Sequence, residues 1–380
     1  MASSKRIVDQ FFAAADIRVG GDRPWDVNVT DQRFYDRVLR DGSLGLGESY
    51  MLGWWDAQDM DDLAFKAMSG RLPERFSHNW KVAWHVAKAK LLNLQGRSRS
   101  EEVAKVHYDL SNEFYEYVLG KTMAYTCAYW KDAETLDEAQ RDKYDLVCRK
   151  LDLRPMDEVL EHGCGWGGFA KHATENYGCR VVAVSISQPQ IDYVRELCRG
   201  LPVEAHSCDY RDESIYNPTG RKFDKAVSIG MCEHVGPKSY RAWFEIVDRQ
   251  LKDDGLFLLH TIGSDVSLTT NDRFTQKYIF PNCVVPSLKQ LTAAAEGLFT
   301  VEDVHNFWKS YYYTMREWQR NFALHWEAIQ ELDAKFDDRF YRMWNFYNFA
   351  GMGIARARQG ALWQIVFSKR SSLREYETVR

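Results

Sequence analysis

The sequence predicts an α/β protein with a mainly parallel sheet, preceded by a small, mainly helical domain. From Asp157 onward, short runs rich in β-branched residues alternate with helical stretches. Such alternation is typical of a parallel sheet with helices on both faces. Before residue 95 the periodicity is helical, interrupted by a glycine cluster at 42, 45, 47 and 53. We therefore expect a helical domain over 1–95 and an α/β domain over 96–380.

Five runs predict the strands of the sheet in chain order: 157–163, 180–187, 203–209, 225–230 and 256–263. Two later runs, 299–307 and 361–369, predict a C-terminal strand pair. The residues between the fifth run and this pair, about 264–299, form an insertion that we expect to cover the substrate.

The amino-acid composition excludes several classes of protein. The chain has 380 residues, of which 45% are hydrophobic and 27% charged, so a disordered or collagen-like protein is excluded. The formal net charge of -4 gives no general attraction to nucleic acid. An aromatic content of 14% favours a wide apolar pocket or a lipid-facing surface.

The eight cysteines include no C-x-x-C pair, and the N-terminus does not resemble a secretory signal. We therefore expect reduced thiols, no metal site and a cytoplasmic protein. No apolar run reaches the roughly 18 residues that span a bilayer. If the substrate is a lipid, we expect the protein to bind peripherally to the inner, cytoplasmic face of the membrane without crossing the bilayer.

The segment Ser77–Ser100 carries five basic residues and no acidic one. Its apolar residues recur at helical spacing, with Trp80 and Trp84 at one end. This pattern fits a basic amphipathic helix on a membrane surface, and it fits equally well an ordinary helix docked on the next domain.

A glycine cluster follows the first predicted strand, in Glu161-His162-Gly163-Cys164-Gly165-Trp166-Gly167-Gly168. Glycines here let the backbone turn tightly and approach a ligand. The spacing formally meets a dinucleotide fingerprint, but no acid follows the second strand, which ends in Ser185-Ile186-Ser187. Glu161 instead precedes the glycines, where it can meet the positive part of an amino-acid-like ligand. These departures favour S-adenosylmethionine over NAD.

Several motifs occur together with this loop: H-Y-D-L-S-N, Y-T-C-A-Y-W, V-S-I-S, G-M-C-E-H-V-G and L-H-T-I-G. In this order they resemble the cyclopropane-fatty-acyl-phospholipid synthase family, which is related to the mycolic acid cyclopropane synthases. The resemblance runs from about Phe34 to Arg370. It implies a class I methyltransferase, Rossmann-like fold acting on unsaturated phospholipid acyl chains as a peripheral membrane protein, with a homodimer as one option for its assembly.

The resemblance also implies the cofactor site. It assigns S-adenosylmethionine to Glu161, Gly163 and Gly165 of the loop, to Ser185 and Gln190, and to Asp209, Tyr210 and Arg211. Tyr125 and Thr126 would close over the carboxylate of its amino-acid part. Gln190 and Arg211 have a plainer interpretation as solvated loop residues. His162 replaces the small apolar residue usual in this loop, and its role stays open.

For the reaction itself, the resemblance implies a bound bicarbonate ion as the base that closes a cyclopropane ring. The groups that match its site are Cys127, Glu233, His260, Ile262 and Tyr311. Cys127 and Ile262 would act chiefly through backbone N–H groups, and His260 and Tyr311 through side-chain donors. Glu233 would orient the histidine and the anion. The register of Tyr311-Tyr312-Tyr313 is open by one position.

Three alternatives compete with ring formation. One is methylation of the acyl chain without ring closure, another is small-molecule N-methylation of the coclaurine type, and the third is a catalytically silent lipid-binding protein. The N-terminal domain disfavours the second, and the intact anion-site residues disfavour the third.

Overall fold

A computed structural model describes residues 2–77 and 110–380 of the chain. The predicted basic helix, apart from Ser77, therefore lies outside the described residues. By their internal contacts, the described residues divide into two units. A helical unit comprises 2–77, 269–281 and 311–360, and a sheet unit comprises 110–268, 282–310 and 361–380.

The sheet unit contains a seven-stranded sheet in the order β5-β4-β3-β6-β7-β9-β8. Its strands are β3 (Glu158–His162), β4 (Arg180–Ser185), β5 (Val203–Ser207), β6 (Phe223–Ile229), β7 (Leu251–Gly263), β8 (Phe299–Asn306) and β9 (Ala361–Lys369). β3 to β7 pair in parallel, whereas β9 pairs antiparallel with both β7 and β8. All seven predicted strands are confirmed.

Helices connect these strands. They span Asn112–Leu119, Leu136–Lys150, Gly168–Tyr177, Gln188–Leu197, Glu213–Tyr216, Cys232–Val235, Tyr240–Gln250 and Leu288–Ala295. The helix Leu136–Lys150 begins with a capping box, in which Thr135 and Glu138 bond to each other's backbone N–H groups. One core cluster contains Trp243 and Phe257, and a second contains Val181 and Leu258. Both clusters bury β-branched and aromatic side chains of the sheet, which explains why these runs form strands.

The helical unit contains helices Ala2–Ala13, Arg33–Asp41, Ser43–Met51, Met60–Ser69, Leu72–Ser77, Arg273–Tyr278, Trp326–Leu332 and Asp338–Arg356, with most of Lys309–Leu324. A short antiparallel pair, β1 (Asn28–Val29) and β2 (Trp55–Asp56), completes it. The expected boundary near residue 95 assigns 269–281 and 311–360 to the α/β domain. In the structure, these residues instead pack with the N-terminal helices. A Cβ at Gly353 would lie 2.6 Å from the backbone of Ala64, so the two helices approach closely only because glycine stands there.

The expected insertion 264–299 is divided between the units. Its residues 269–281 belong to the helical unit, and the remainder belongs to the sheet unit. Over the described residues, no helix combines the length and apolar character that a membrane crossing requires. All eight cysteines lie in the described part and are buried thiols.

Candidate active site

The strand order reverses next to β3, because β4 and β5 lie on one side of it and β6 and β7 on the other. Open α/β sheets bind ligands at such a reversal, beyond the carboxyl ends of the strands. The glycine loop leaves β3 at this point and enters the helix Gly168–Tyr177. The loop is tied to β4, since the N–H of Gly163 donates to the carbonyl of Val184 over 2.8 Å.

Gly163 and Gly165 both have left-handed backbone conformations, with φ of +82° and +53°. A Cβ at Gly163 would collide with the side chain of Met231 at 2.6 Å, whereas a Cβ at Gly165 would meet no atom of the described residues within 4 Å. Gly163 therefore serves packing as well as conformation. Gly165 borders open space, where a ligand can lie against the backbone.

Glu161 is the next-to-last residue of β3 and is only 2% exposed. Among the residues that the structure describes, its Oε2 has no hydrogen-bond partner. Burial raises the pKa of this carboxyl to about 8, and the charge of Lys143 opposes that rise. A buried carboxylate without a partner is costly, so a cationic ligand group beside it would be favourable. The ammonium and sulfonium groups of S-adenosylmethionine fit this requirement.

Ser185 and Gln190 bond to each other at the end of β4. The Ser185 hydroxyl donates to Oε1 of Gln190 over 2.9 Å, and the backbone N–H of Ser187 donates to the Ser185 hydroxyl. Gln190 is 3% exposed, so its interpretation as a solvated loop residue is wrong. The pair shapes the turn beside the glycine loop.

Asp209, Tyr210 and Arg211 follow β5. The Arg211 guanidinium donates to both carboxylate oxygens of Asp209, each over 2.7 Å. This fork, with the Arg211 guanidinium 5.0 Å from the centre of the Tyr210 ring, makes Arg211 an organised part of the loop.

His162 is buried and has both ring nitrogens engaged. The indole N–H of Trp243 lies 3.3 Å from Nδ1, and the Tyr216 hydroxyl lies 3.4 Å from Nε2. Since that hydroxyl donates to the carbonyl of Tyr210, Nε2 of His162 must carry the proton. His162 is therefore a packing residue that links β3 to the loop after β5, and burial lowers its pKa to about 4.

Tyr125, Thr126 and Cys127 lie on a segment that the helix Leu136–Lys150 holds in place. Gln140 donates its side-chain amide to the carbonyls of Ala124 and Thr126, over 3.2 and 2.9 Å. The Lys143 ammonium donates to the Thr126 hydroxyl over 2.8 Å.

Within that segment, the Tyr125 ring lies 5.5 Å from that of Tyr115, and the Cys127 thiol is buried. Tyr115 in turn packs 4.8 Å from Trp166 of the glycine loop. The aromatic contacts thus connect the predicted carboxylate-binding residues to the loop.

Glu233 is buried just after β6, in the short helix Cys232–Val235. Its Oε1 accepts the backbone N–H of Ile262 over 2.7 Å, and its Oε2 has no partner within residues 2–77 and 110–380. The Ile262 N–H, which the resemblance assigns to the anion, here holds the carboxylate of Glu233 instead. Burial raises the pKa of Glu233.

His260 lies on β7 and is 1% exposed. Its Nδ1 faces the side-chain amide of Gln364 on β9 over 3.4 Å, and its Nε2 has no partner in the described part of the chain. Burial and the charges of Lys143 and Lys150 hold its pKa well below the ordinary value, so the ring is neutral at pH 7. If the Gln364 amide donates to Nδ1, then Nε2 carries the proton and is an unused donor.

Tyr311 belongs to the helical unit, on the helix Lys309–Leu324. The neighbouring hydroxyl of Tyr312 donates to Asp61 over 2.9 Å within the same unit. This bond engages the Tyr312 hydroxyl within the helical unit, and the choice among the three tyrosines stays a prediction.

Sequence reasoning missed two buried polar residues of this site, Lys143 and Gln364. Both are 0% exposed. Lys143 was detectable in principle, because it falls on the apolar stripe formed by Leu136, Val147 and similar residues of its helix. Gln364 gave no such signal, since its neighbour on β7 is known only from the strand register.

The fold and this site define a class I methyltransferase, the class that takes its methyl group from S-adenosylmethionine. A family model described as mycolic acid cyclopropane synthetase matches residues 95–365. The chain belongs to this family.

Among curated relatives, the cyclopropane-fatty-acyl-phospholipid synthase of Escherichia coli K12 is 43% identical over 96% of this chain and 93% of its own length. A probable fatty acid methyltransferase of Mycobacterium tuberculosis is 36% identical over 63% of this chain and 57% of its own length.

Among solved structures, the mycolic acid cyclopropane synthase CmaA1 in complex with SAH and CTAB has a TM-score of 0.62 and 27% identity. It covers 71% of this chain and 98% of its own. A coclaurine N-methyltransferase has a TM-score of 0.68 at 22% identity over 85% of this chain and 99% of its own, a likeness of fold alone.

Proposed function

We propose that the protein transfers a methylene group from S-adenosylmethionine to the cis double bond of an unsaturated phospholipid acyl chain, forming a cyclopropane ring. The observation that carries this proposal is the 43% identity with the Escherichia coli synthase, which extends over 96% of the chain. The likeness includes the N-terminal region as well as the methyltransferase fold. A small-molecule N-methyltransferase has no comparable support.

The overall reaction breaks the carbon–sulfur bond of the cofactor, the π bond of the alkene and one C–H bond of the transferred methyl group. It forms two carbon–carbon bonds and releases one proton and S-adenosylhomocysteine. When bound, S-adenosylmethionine supplies an electrophilic methyl group. Beside the cationic part of this cofactor, Glu161 loses its proton and offers a buried negative charge, and Gly165 lets the backbone of the loop lie close to the cofactor. An alkene is a weak nucleophile, so close positioning and exclusion of water are the protein's main contributions.

The released proton requires a base, and we propose that bicarbonate serves as that base beside Glu233 and His260. Two buried atoms without partners support this site: Oε2 of Glu233 and Nε2 of His260. The neutral His260 ring can donate from Nε2. An anion beside the Glu233 carboxyl favours its protonated form, which can donate a hydrogen bond to that anion, and burial acts in the same direction by raising the pKa of Glu233. These two groups would hold the ion, with Cys127 as a further proposed contact.

Lipid analysis tests the proposed reaction. Cells expressing the protein should contain phospholipid acyl chains heavier by one CH₂ than those of cells with an empty vector. Methylation without ring closure can give the same mass, so the extracted lipids should also be hydrogenated under mild conditions. A cyclopropane product takes up no hydrogen there. Heavier chains that take up H₂ would point to the alternative reaction.

We further propose that Ser77–Ser100 docks the protein on anionic membranes. The sequence of this segment supports docking through its five basic residues and its pair of tryptophans. Each basic residue near an anionic surface contributes on the order of 1 kcal/mol. Changing Lys81, Lys88 and Lys90 together to Glu should abolish sedimentation with anionic vesicles at low salt. S-adenosylmethionine binding should stay intact. If the triple variant sediments like the parent, the docking surface lies elsewhere.

A further inference from the structure

Lys143 is a fully buried cation that the proposed reaction does not use. It lies in the middle of the helix Leu136–Lys150 and is 0% exposed. Burial of an ammonium group is costly unless hydrogen bonds and opposite charges compensate for it. Its contacts therefore indicate what it does.

The Lys143 ammonium has two hydrogen-bond partners, the Thr126 hydroxyl at 2.8 Å and Oε1 of Gln140 at 2.6 Å. Gln140 in turn holds the backbone carbonyls of Ala124 and Thr126. The Thr126 methyl group packs against Gly230, where a Cβ would lie 2.4 Å from it. Packing on one side and hydrogen bonding on the other thus orient the Thr126 side chain.

This arrangement decides the direction of hydrogen bonding at Thr126. The protonated Lys143, which a nearby ligand carboxylate favours, only donates, so the Thr126 oxygen must then accept from it. The hydroxyl proton of Thr126 then points away from Lys143 and is available to an acceptor. A carboxylate is such an acceptor. The positive charge of Lys143, which donates to the Thr126 oxygen, strengthens the hydrogen bond from the Thr126 hydroxyl to that carboxylate.

Lys143 and Glu161 can carry opposite charges, so the pair suits a ligand that has both a positive and a negative group. Burial lowers the pKa of Lys143 to about 7, and Glu161 and Cys127 oppose that change. Glu161 retains an oxygen without a partner. A ligand carrying an α-ammonium group and an α-carboxylate would satisfy both buried groups at once.

We propose that Lys143 is a positioning residue for the amino-acid part of the cofactor, acting through Thr126 to make its hydroxyl a donor to the α-carboxylate. The inference rests on the proposed placement of that carboxylate at Thr126. Glu161 binds the α-ammonium group of the cofactor. Lys143 and Glu161 together therefore favour a zwitterionic ligand.

The test compares two ligands that differ in the amino-acid part. S-adenosylhomocysteine carries the α-carboxylate, whereas 5′-methylthioadenosine lacks it. In calorimetry, Lys143→Met should weaken S-adenosylhomocysteine binding roughly tenfold or more and leave 5′-methylthioadenosine binding within about twofold. The matched control is Lys150→Met, since Lys150 is also 0% exposed on the same helix but pairs with Asp303. That control should alter neither affinity.

A double-mutant cycle with Thr126→Val tests the route through Thr126. Lys143→Met should cost little further S-adenosylhomocysteine affinity in the Thr126→Val background, and Thr126→Ser should bind like the parent. Additive losses would overturn the route through Thr126. Equal losses for both ligands would mean that Lys143 only supports the fold, and unchanged affinities would remove it from the site. Lys143→Gln provides a second variant if Lys143→Met does not fold.

These failures are separable from failure of the proposed function. If the parent protein binds no S-adenosylhomocysteine, the cofactor assignment itself is wrong. If the parent binds it and Thr126→Val binds equally well, only the placement of the carboxylate is wrong.

Discussion

Gln364 and His260 stand directly opposite each other on the adjacent antiparallel strands β9 and β7, with the amide of Gln364 3.4 Å from Nδ1 of His260. Both side chains are buried. A donor at Nδ1 leaves the ring proton on Nε2, the atom without a partner. The strand register thus selects the tautomer that can donate to an anion.

Removing the side-chain amide of Gln364 should reduce turnover without weakening cofactor binding. We expect Gln364→Leu to lower turnover roughly tenfold, because His260 then loses control of its tautomer. Gln364→Glu should have a larger effect, since its carboxylate accepts from Nδ1 and leaves Nε2 without a proton. Nitrogen NMR of the His260 ring measures the tautomer directly. Val366→Ala, on the same strand, is a packing control that should leave the tautomer unchanged.

Substitution of the glycine loop tests the cofactor site. Gly165→Ala should lower S-adenosylhomocysteine affinity at least tenfold, because the new methyl group enters the open space beside the backbone. Gly200→Ala is a matched control, since Gly200 also has a positive φ, of +83°, and open space around it. Both variants bear a similar backbone strain of about 1 kcal/mol. Equal calorimetric affinities for the two variants would contradict the assignment of the loop.

The two anion-site residues should affect chemistry more than binding. Glu233→Gln and His260→Ala should each lower turnover by about 10²- to 10⁴-fold, the usual contribution of a positioned acid–base group. Their S-adenosylhomocysteine affinities should stay within about threefold of the parent. Near-normal turnover in both folded variants would remove the pair from the mechanism. Cys127→Ala is the comparison, and it should keep most activity because the proposed contact of Cys127 with the anion is made chiefly through its backbone N–H.

Acid should destabilise the protein partly through His162. Its folded-state pKa of about 4 lies below the unfolded value of 6.5. Between these values the unfolded chain binds more protons, so the contribution of His162 is full above pH 6.5 and is lost as pH falls toward 4. His162→Asn keeps an acceptor for Trp243 but cannot titrate. Urea unfolding should then depend less steeply on pH, by up to about 1.4 kcal/mol per pH unit. An unchanged slope would mean that His162 does not contribute.

The sequence by itself determined the sheet, the glycine loop and their order. Each parallel strand is a short apolar run whose burial depends on local pattern, so β3 to β7 are recognisable without knowledge of their partners. Gly163 and Gly165 are recognisable for the same reason, because the need for a positive φ and a bare backbone is local. The family motifs predicted the cofactor and the reaction as well.

Only the tertiary structure decided which residues meet. Lys143 reaches Thr126 across 17 positions, and Gln364 reaches His260 across 104. The grouping of 311–360 with the N-terminal helices likewise depends on long-range packing. A helix or strand pattern states which face of an element is buried, but it does not state against what. The hydrogen-bond direction at Thr126 and the tautomer of His260 follow from those partners, and so they became visible only in the folded chain.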